Sequence, residues 1–145
     1  MNDNKLKNKP VPAYYARCFN EQCPKASGCL HHVATLHTTN KDSFISAVNP
    51  NCIPTDGTAC PYFEKAEKIH VAWGIKHLLD NIPYKKLASV KDPLVAHFGK
   101  TLYYRFYREE RYLTPNDQAY IRQVFRQKGI TEEPVYSSYS DEYNW

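Results

Sequence analysis

The amino-acid sequence predicts a mainly α-helical protein, with a Cys-rich, irregular N-terminal segment packed on a four- to five-helix C-terminal unit. Three observations predict it. All five cysteines lie in the first 60 residues, among turn-forming residues and outside any long amphipathic stretch. From Phe63 onward, apolar residues recur at helical spacing. Thr114-Pro115-Asn116-Asp117 combines a capping hydroxyl, a proline at the first helical position and an acid two residues later.

The helical reading is built segment by segment. Lys25 to His37 can hold a short helix, with Ala26, Cys29, Leu30, Val33 and Leu36 three or four residues apart. Phe44 to Val48 reads as a brief strand ended by Asn49-Pro50, and residues 51–59 are turn chemistry throughout. Phe63 to Asn81 reads as a helix that aligns Val71, Ile75, Leu78, Leu79 and the following Ile82 on one face. Pro83 introduces a short helix over 84–89, Asp92-Pro93 starts another that Gly99 ends, and Thr101 can cap a helix to about Glu110. The helix after Thr114 runs to Lys128, with Gly129 as the residue beyond its C-cap. The organisation is thus a flexible N-terminus (1–12), a Cys-rich metal-binding segment (13–62), a helical basic unit (63–129) and an acidic aromatic tail (130–145).

Composition narrows the class. The 145 residues are 42% hydrophobic and 14% aromatic, enough to build a core, so the chain is not a disordered one. No apolar run nears the roughly 18 residues of a membrane span, so no membrane partner is expected. The polar first 12 residues lack the apolar stretch of a secretory signal, which predicts a cytoplasmic location. In a reducing compartment, clustered cysteines point to metal ligands more than to disulfides.

The cysteines read Cys18-x4-Cys23-x5-Cys29, then Cys52-x7-Cys60 after a gap of 22 residues. Two thiol groups about 20 residues apart fit a structural zinc site, which needs four soft ligands in a tetrahedron. Cys23 and Cys60 each precede a proline that turns the chain away from its thiol. The expected ligands are Cys23, Cys29, Cys52 and Cys60, with Cys18, His31 or His32 as substitutes. An iron–sulfur cluster on the same thiolates, or buried free thiols with no metal, are the alternatives. No paired carboxylates, nucleophile elbow, phosphate loop or zinc-protease motif occurs, so no catalytic residues are assigned.

Charge separates along the chain. Residues 84–128 carry 10 basic and 4 acidic groups, whereas 129–145 carry four acids and no base. Within the basic block, TLYYRFYREERY (101–112) turns Leu102, Tyr103 and Phe106 toward a core. Lys100, Tyr104, Arg105, Arg108 and Arg111 fall elsewhere and are the candidate contacts to DNA phosphates and base edges. The alternative is a solvated helix in which Arg105 or Arg108 pairs with Glu109 or Glu110. The tail alternates acids with Tyr136, Tyr139 and Trp145. Disorder is the default for a terminus, while these aromatics offer anchors for docking or for shielding the basic block.

Helix order and capping from Ile82 to Lys128 resemble the repressor-type helix-turn-helix domains, with the motif at 92–111. Nearly the whole chain also resembles an uncharacterised bacterial family, a domain of unknown function. The matching features are Cys23-Pro24…Cys29-Leu30, Val48-Asn49-Pro50, Cys60-Pro61-Tyr62-Phe63, Tyr103-Tyr104-Arg105 and Leu113-Thr114-Pro115. That family resemblance implies one architecture and no activity. The function expected is a small DNA-binding or regulatory module with structural zinc. The alternatives are a protein-interaction scaffold, or an iron–sulfur redox sensor.

Overall fold

The computed structural model describes residues 10–55 and 59–145. Residues 1–9 of the expected flexible terminus and 56–58 of the expected turn lie outside the described residues. The architecture is mixed, 37% helical and 13% strand with a two-stranded antiparallel sheet, which corrects the mainly α expectation. The correction originates in the stretch 63–81. Instead of one helix it holds strand β1 (Lys68–Trp73), followed by turns through residue 80. β-Branched Ile69 and Val71 alternate with polar Lys68 and His70 at the start of β1, and such residues suit a pleated surface. Gly74, at φ 78°, ends the strand in a conformation most residues avoid; a Cβ there would strike the Ser137 hydroxyl and the Glu109 carboxylate.

The chain divides into two compact units. The first comprises the described residues up to Lys68 together with Tyr143–Trp145. Its regular structure is a 3-10 turn (Ala26–Gly28), helix α1 (Leu30–Leu36) and a second 3-10 turn (Pro50–Cys52). The expected strand at 44–48 is an extended segment that makes a single parallel bridge, Ala47 to Arg17.

The second unit spans Ile69–Glu142. It carries helices α2 (Tyr84–Phe98), α3 (Lys100–Tyr107) and α4 (Pro115–Gln127), and all but the last residue of strand β2 (Ser138–Tyr143), which pairs with β1. Ala72 of β1 also exchanges both backbone hydrogen bonds with Leu113, at 3.1 and 2.8 Å. The core is formed by Val90 and Leu94 of α2, Tyr103 and Phe106 of α3, and Ile121, Val124 and Phe125 of α4. Ala72, Ile75, Leu78, Leu113 and Ile130 complete it.

Two short helices were expected across 84–98, whereas α2 runs through Pro93 unbroken. Proline removes one intrahelical hydrogen bond and costs about 3 kcal/mol in a helix interior. Val90 and Leu94, fully buried on either side of it, hold the helix together through that loss. The α4 start follows its sequence signature: the Thr114 hydroxyl accepts from the Asp117 amide at 3.2 Å, and the Asp117 carboxylate accepts from the Thr114 amide at 2.9 Å. Lys128 is the C-cap and Gly129 follows at φ 74°. The acidic tail takes part in the fold as β2, where Asp141 pairs with His70 at 2.9 Å and Ser140 accepts from the Trp73 indole at 2.8 Å.

Among the described residues, no helix is long and apolar enough to cross a membrane. Tyr136 packs on the core with its hydroxyl buried and without a hydrogen-bond partner, and burial pushes that phenol far above its ordinary pKa. Two substitutions should therefore move stability in opposite directions. Thr114→Ala removes the cap and should cost about 1 kcal/mol. Tyr136→Phe removes an unsatisfied polar atom and should stabilise by about 1 kcal/mol or less. A urea unfolding series on both variants measures each sign.

Candidate functional site: a thiol-lined pocket and a cationic helix face

The first unit is organised around a buried arginine. Arg17 is fully buried, and its guanidinium donates to the carbonyls of Val11, Pro12 and Tyr15 at 3.0–3.2 Å and to the Thr38 hydroxyl at 2.6 Å. Its backbone is tied as well: the Arg17 amide donates to Ser46 and its carbonyl accepts from Val48. Three segments, 11–15, Thr38 and 46–48, thus meet on one residue, and the next residue is Cys18. Nothing in the local pattern Tyr-Tyr-Ala-Arg-Cys marks this role, because a lone arginine reads as a surface residue.

Beside Arg17 lies a pocket of about 570 Å³ whose lining includes Cys18, Cys23, Cys29, Cys60, His31 and His32. Each thiol-bearing backbone is held. The Cys18 amide donates to the His31 carbonyl at 2.9 Å. Cys23 and Cys60 open equivalent turns: Ala26 donates to the Cys23 carbonyl at 3.1 Å, and Phe63 donates to the Cys60 carbonyl at 3.2 Å. The two turns are tied together by Lys25, whose ammonium lies 5.1 Å from the centre of the Phe63 ring. Cys29 precedes α1 and bridges to Lys65.

Both pocket histidines are oriented from behind. His31 and His32 each donate an Nδ1–H to a carbonyl, Ala16 at 2.7 Å and Cys18 at 3.1 Å. In the neutral ring this leaves Nε2 as the lone-pair nitrogen. The His31 Nε2 faces the Glu64 carboxylate at 3.5 Å, and Glu64 accepts from the Tyr15 hydroxyl at 2.7 Å. Burial first, and that hydrogen bond second, raise the Tyr15 phenol well above its ordinary pKa. Tyr15 also stacks on the His31 ring, a grouping that sequence spacing did not reveal.

The expected ligands do not all converge. Cys23, Cys29 and Cys60, with the substitutes Cys18, His31 and His32, line the one pocket, while Cys52 does not. Cys52 is exposed and lies beside the Tyr62 phenol, which it raises above its ordinary pKa, first by charge and then through a hydrogen bond. Among the described residues, no three Cys, His, Asp or Glu side chains stand in metal-binding geometry, and the five cysteines are unbridged.

In the second unit, α3 buries Tyr103 and Phe106 and turns its opposite arc to solvent. Helical spacing sets Arg105 and Arg108 on that arc, with Lys100 and Tyr107 exposed along one flank and Tyr104 half-buried there against the core. Arg111 is exposed beyond the end of the helix. Lys91 of α2 stands 5.9 Å from the Tyr104 ring centre. Glu110 accepts from Arg108 at 2.7 and 3.3 Å and lies 3.9 Å from Arg105. The Arg108 bond, then the charges of Arg108 and Arg105, hold the Glu110 carboxyl below its ordinary pKa, although burial opposes them. Glu109, at φ 59°, packs its carboxylate against Gly74.

The fold and these sites define a small mixed α/β protein with a thiol-lined pocket and a cationic helix. All 145 residues match the model of a family of unknown function, DUF6078, and the chain belongs to that family. No curated protein and no solved structure matches it.

Arg17 should govern the stability of the first unit. Replacing it with Met strands several carbonyls in the interior and should cost about 3 kcal/mol. Arg17→Lys should also destabilise, since one ammonium cannot reach the same set. Thermal melting of both variants is the check, and an unchanged midpoint for Arg17→Met would remove Arg17 from this role.

Proposed function

We propose that the protein is a small DNA-binding regulatory module, with zinc stapling the Cys-rich unit and α3 contacting the phosphate backbone. The observation that carries the reading is the outer side of α3, where Lys100, Arg108 and Tyr107 are exposed beside the half-buried Arg105 and Tyr104. Guanidinium groups and phenols are the side chains that hold phosphates and orient a protein on a duplex. Among the described residues Lys100 and Arg111 have no carboxylate partner, so their charge is available. Glu110 opposes the reading by occupying Arg108 and approaching Arg105. It acts as a local competitor that a polyanion must displace.

The reading rests on phosphate contact more than on helix-turn-helix geometry. α2 and α3 meet at Gly99 alone, whereas a helix-turn-helix spaces its helices by roughly three or four residues. Five unbridged cysteines suit a reducing compartment, and the protein is assigned to the cytoplasm. A protein-interaction role is the second reading. It is favoured by Phe44 and Tyr14 in the first unit, which are 89% and 75% exposed.

Titration of a duplex at several salt concentrations tests the proposal. The logarithm of affinity should fall linearly with the logarithm of salt, by about 0.9 per phosphate contact. Arg105→Glu with Arg108→Glu should abolish retention without unfolding the chain, and Glu110→Gln should tighten it several-fold. Salt-insensitive binding, or retention by the double variant, would refute the α3 assignment. Salt-insensitive capture of a protein would support the second reading.

A further inference from the structure

We propose that the first unit binds one zinc ion through Cys18, Cys23, Cys29 and Cys60, with Cys52 outside the ligand set. The inference deepens the zinc part of the reading above and rests on it. It replaces the ligand set expected from spacing by the set the fold brings to one pocket.

Convergence of the four thiols is the first argument. Cys18, Cys23, Cys29 and Cys60 come from four separate stretches of chain yet line one pocket. Near Cys52, Pro50, Ile53 and Pro54 line the pocket, whereas Asn51 and Cys52 do not. Pro50–Cys52 form a 3-10 turn, and the exposed Cys52 side chain is hydrogen-bonded to the phenol of Tyr62, which stands at the pocket wall.

The second argument is the support behind the thiols. Two equivalent Cys-Pro turns, held to each other by Lys25 on Phe63, deliver Cys23 and Cys60. Cys18 is held from both sides, by its amide to the His31 carbonyl and by its carbonyl to the His32 ring. Backbone restraint of this kind orients ligands before the ion arrives. Lys25 also lines the pocket and offsets part of the charge that four thiolates impose. Zinc is suited by four thiolates in a tetrahedron with zinc–sulfur distances of about 2.3 Å. As they stand, the side chains of the described residues form no metal-binding group, so the four sulfurs must move together when the ion binds. As zinc binds, each thiol loses its proton to solvent and no electron is transferred.

The test uses the full chain purified without oxygen. Metal analysis should find one zinc per chain and no colour. Iodoacetamide applied to the zinc-bound chain should label Cys52 rapidly and leave the other four thiols protected, and a chelator should expose all five. Peptide mass mapping reads this on the native sequence, so no variant need fold. Cys52→Ser should retain full zinc, while Cys18→Ser and Cys60→Ser should each weaken binding at least tenfold. Labelling of Cys18 with protection of Cys52 would overturn the ligand set and leave the zinc reading intact. Absence of metal, or iron with sulfide and a brown colour, would overturn both.

Discussion

A buried guanidinium with carbonyl partners in place of a carboxylate is the constraint on which the first unit depends. Arg17 gathers the carbonyls of residues 11, 12 and 15, the hydroxyl after α1 and, through its backbone, residues 46 and 48. Removing a charge from water is expensive unless every donor is met, and here the main chain itself meets them. The segment therefore closes around the arginine or leaves its charge stranded. This explains how some 50 residues with little regular structure can adopt a defined shape around a small apolar set, Val11, Leu30, Val33 and Ala34. It also sets the direction of Cys18, which leaves the cage toward the pocket.

The second unit relies on a different device. β1 is paired on one side by β2 and on the other by Leu113, so a short strand becomes the inner member of a three-part arrangement and Ala72 is fully buried. The three helices close over it with one continuous apolar set. The core takes in Tyr103 and Phe106 with Leu102 and Tyr104 at its edge, and leaves Lys100, Arg105, Tyr107 and Arg108 at least partly open to solvent. Partial neutralisation by Glu110 has a simple consequence: the surface is cationic in sum, yet its arginines are already held in one geometry by a partner of their own chain.

Local chemistry made some of this legible in the sequence and hid the rest. The α4 boundaries could be read because a cap is a contact between residues three apart, and Thr114 and Asp117 form it. The clustering of thiols was legible for the same reason, since Cys-Pro steps are local turn instructions. β1 was not, because its partner Asp141 lies 71 residues from His70 and no window of helical spacing contains it. Val71, Ile75 and Leu78 satisfied a helix pattern while belonging to a strand and a turn. Pro93 misled in the opposite sense: its local signal is a break, and the burial of Val90 and Leu94 outweighs it. Cys18 lines the pocket and Cys52 does not, a distinction that spacing could not make because it reports distance along the chain and not which side chains face a common cavity.

The central claim is that the main-chain cage around Arg17 forms the pocket in advance of any ion. Hydrogen exchange on the chelated, metal-free chain tests this most directly at the amides of Arg17, Cys18 and Val48, which donate to Ser46, His31 and Arg17 respectively. The account predicts that these amides stay protected without metal and become exchangeable in the Arg17→Met variant. Rapid exchange at all three in the metal-free native chain, with protection returning only on addition of zinc, would contradict it and make the ion the organiser of the unit.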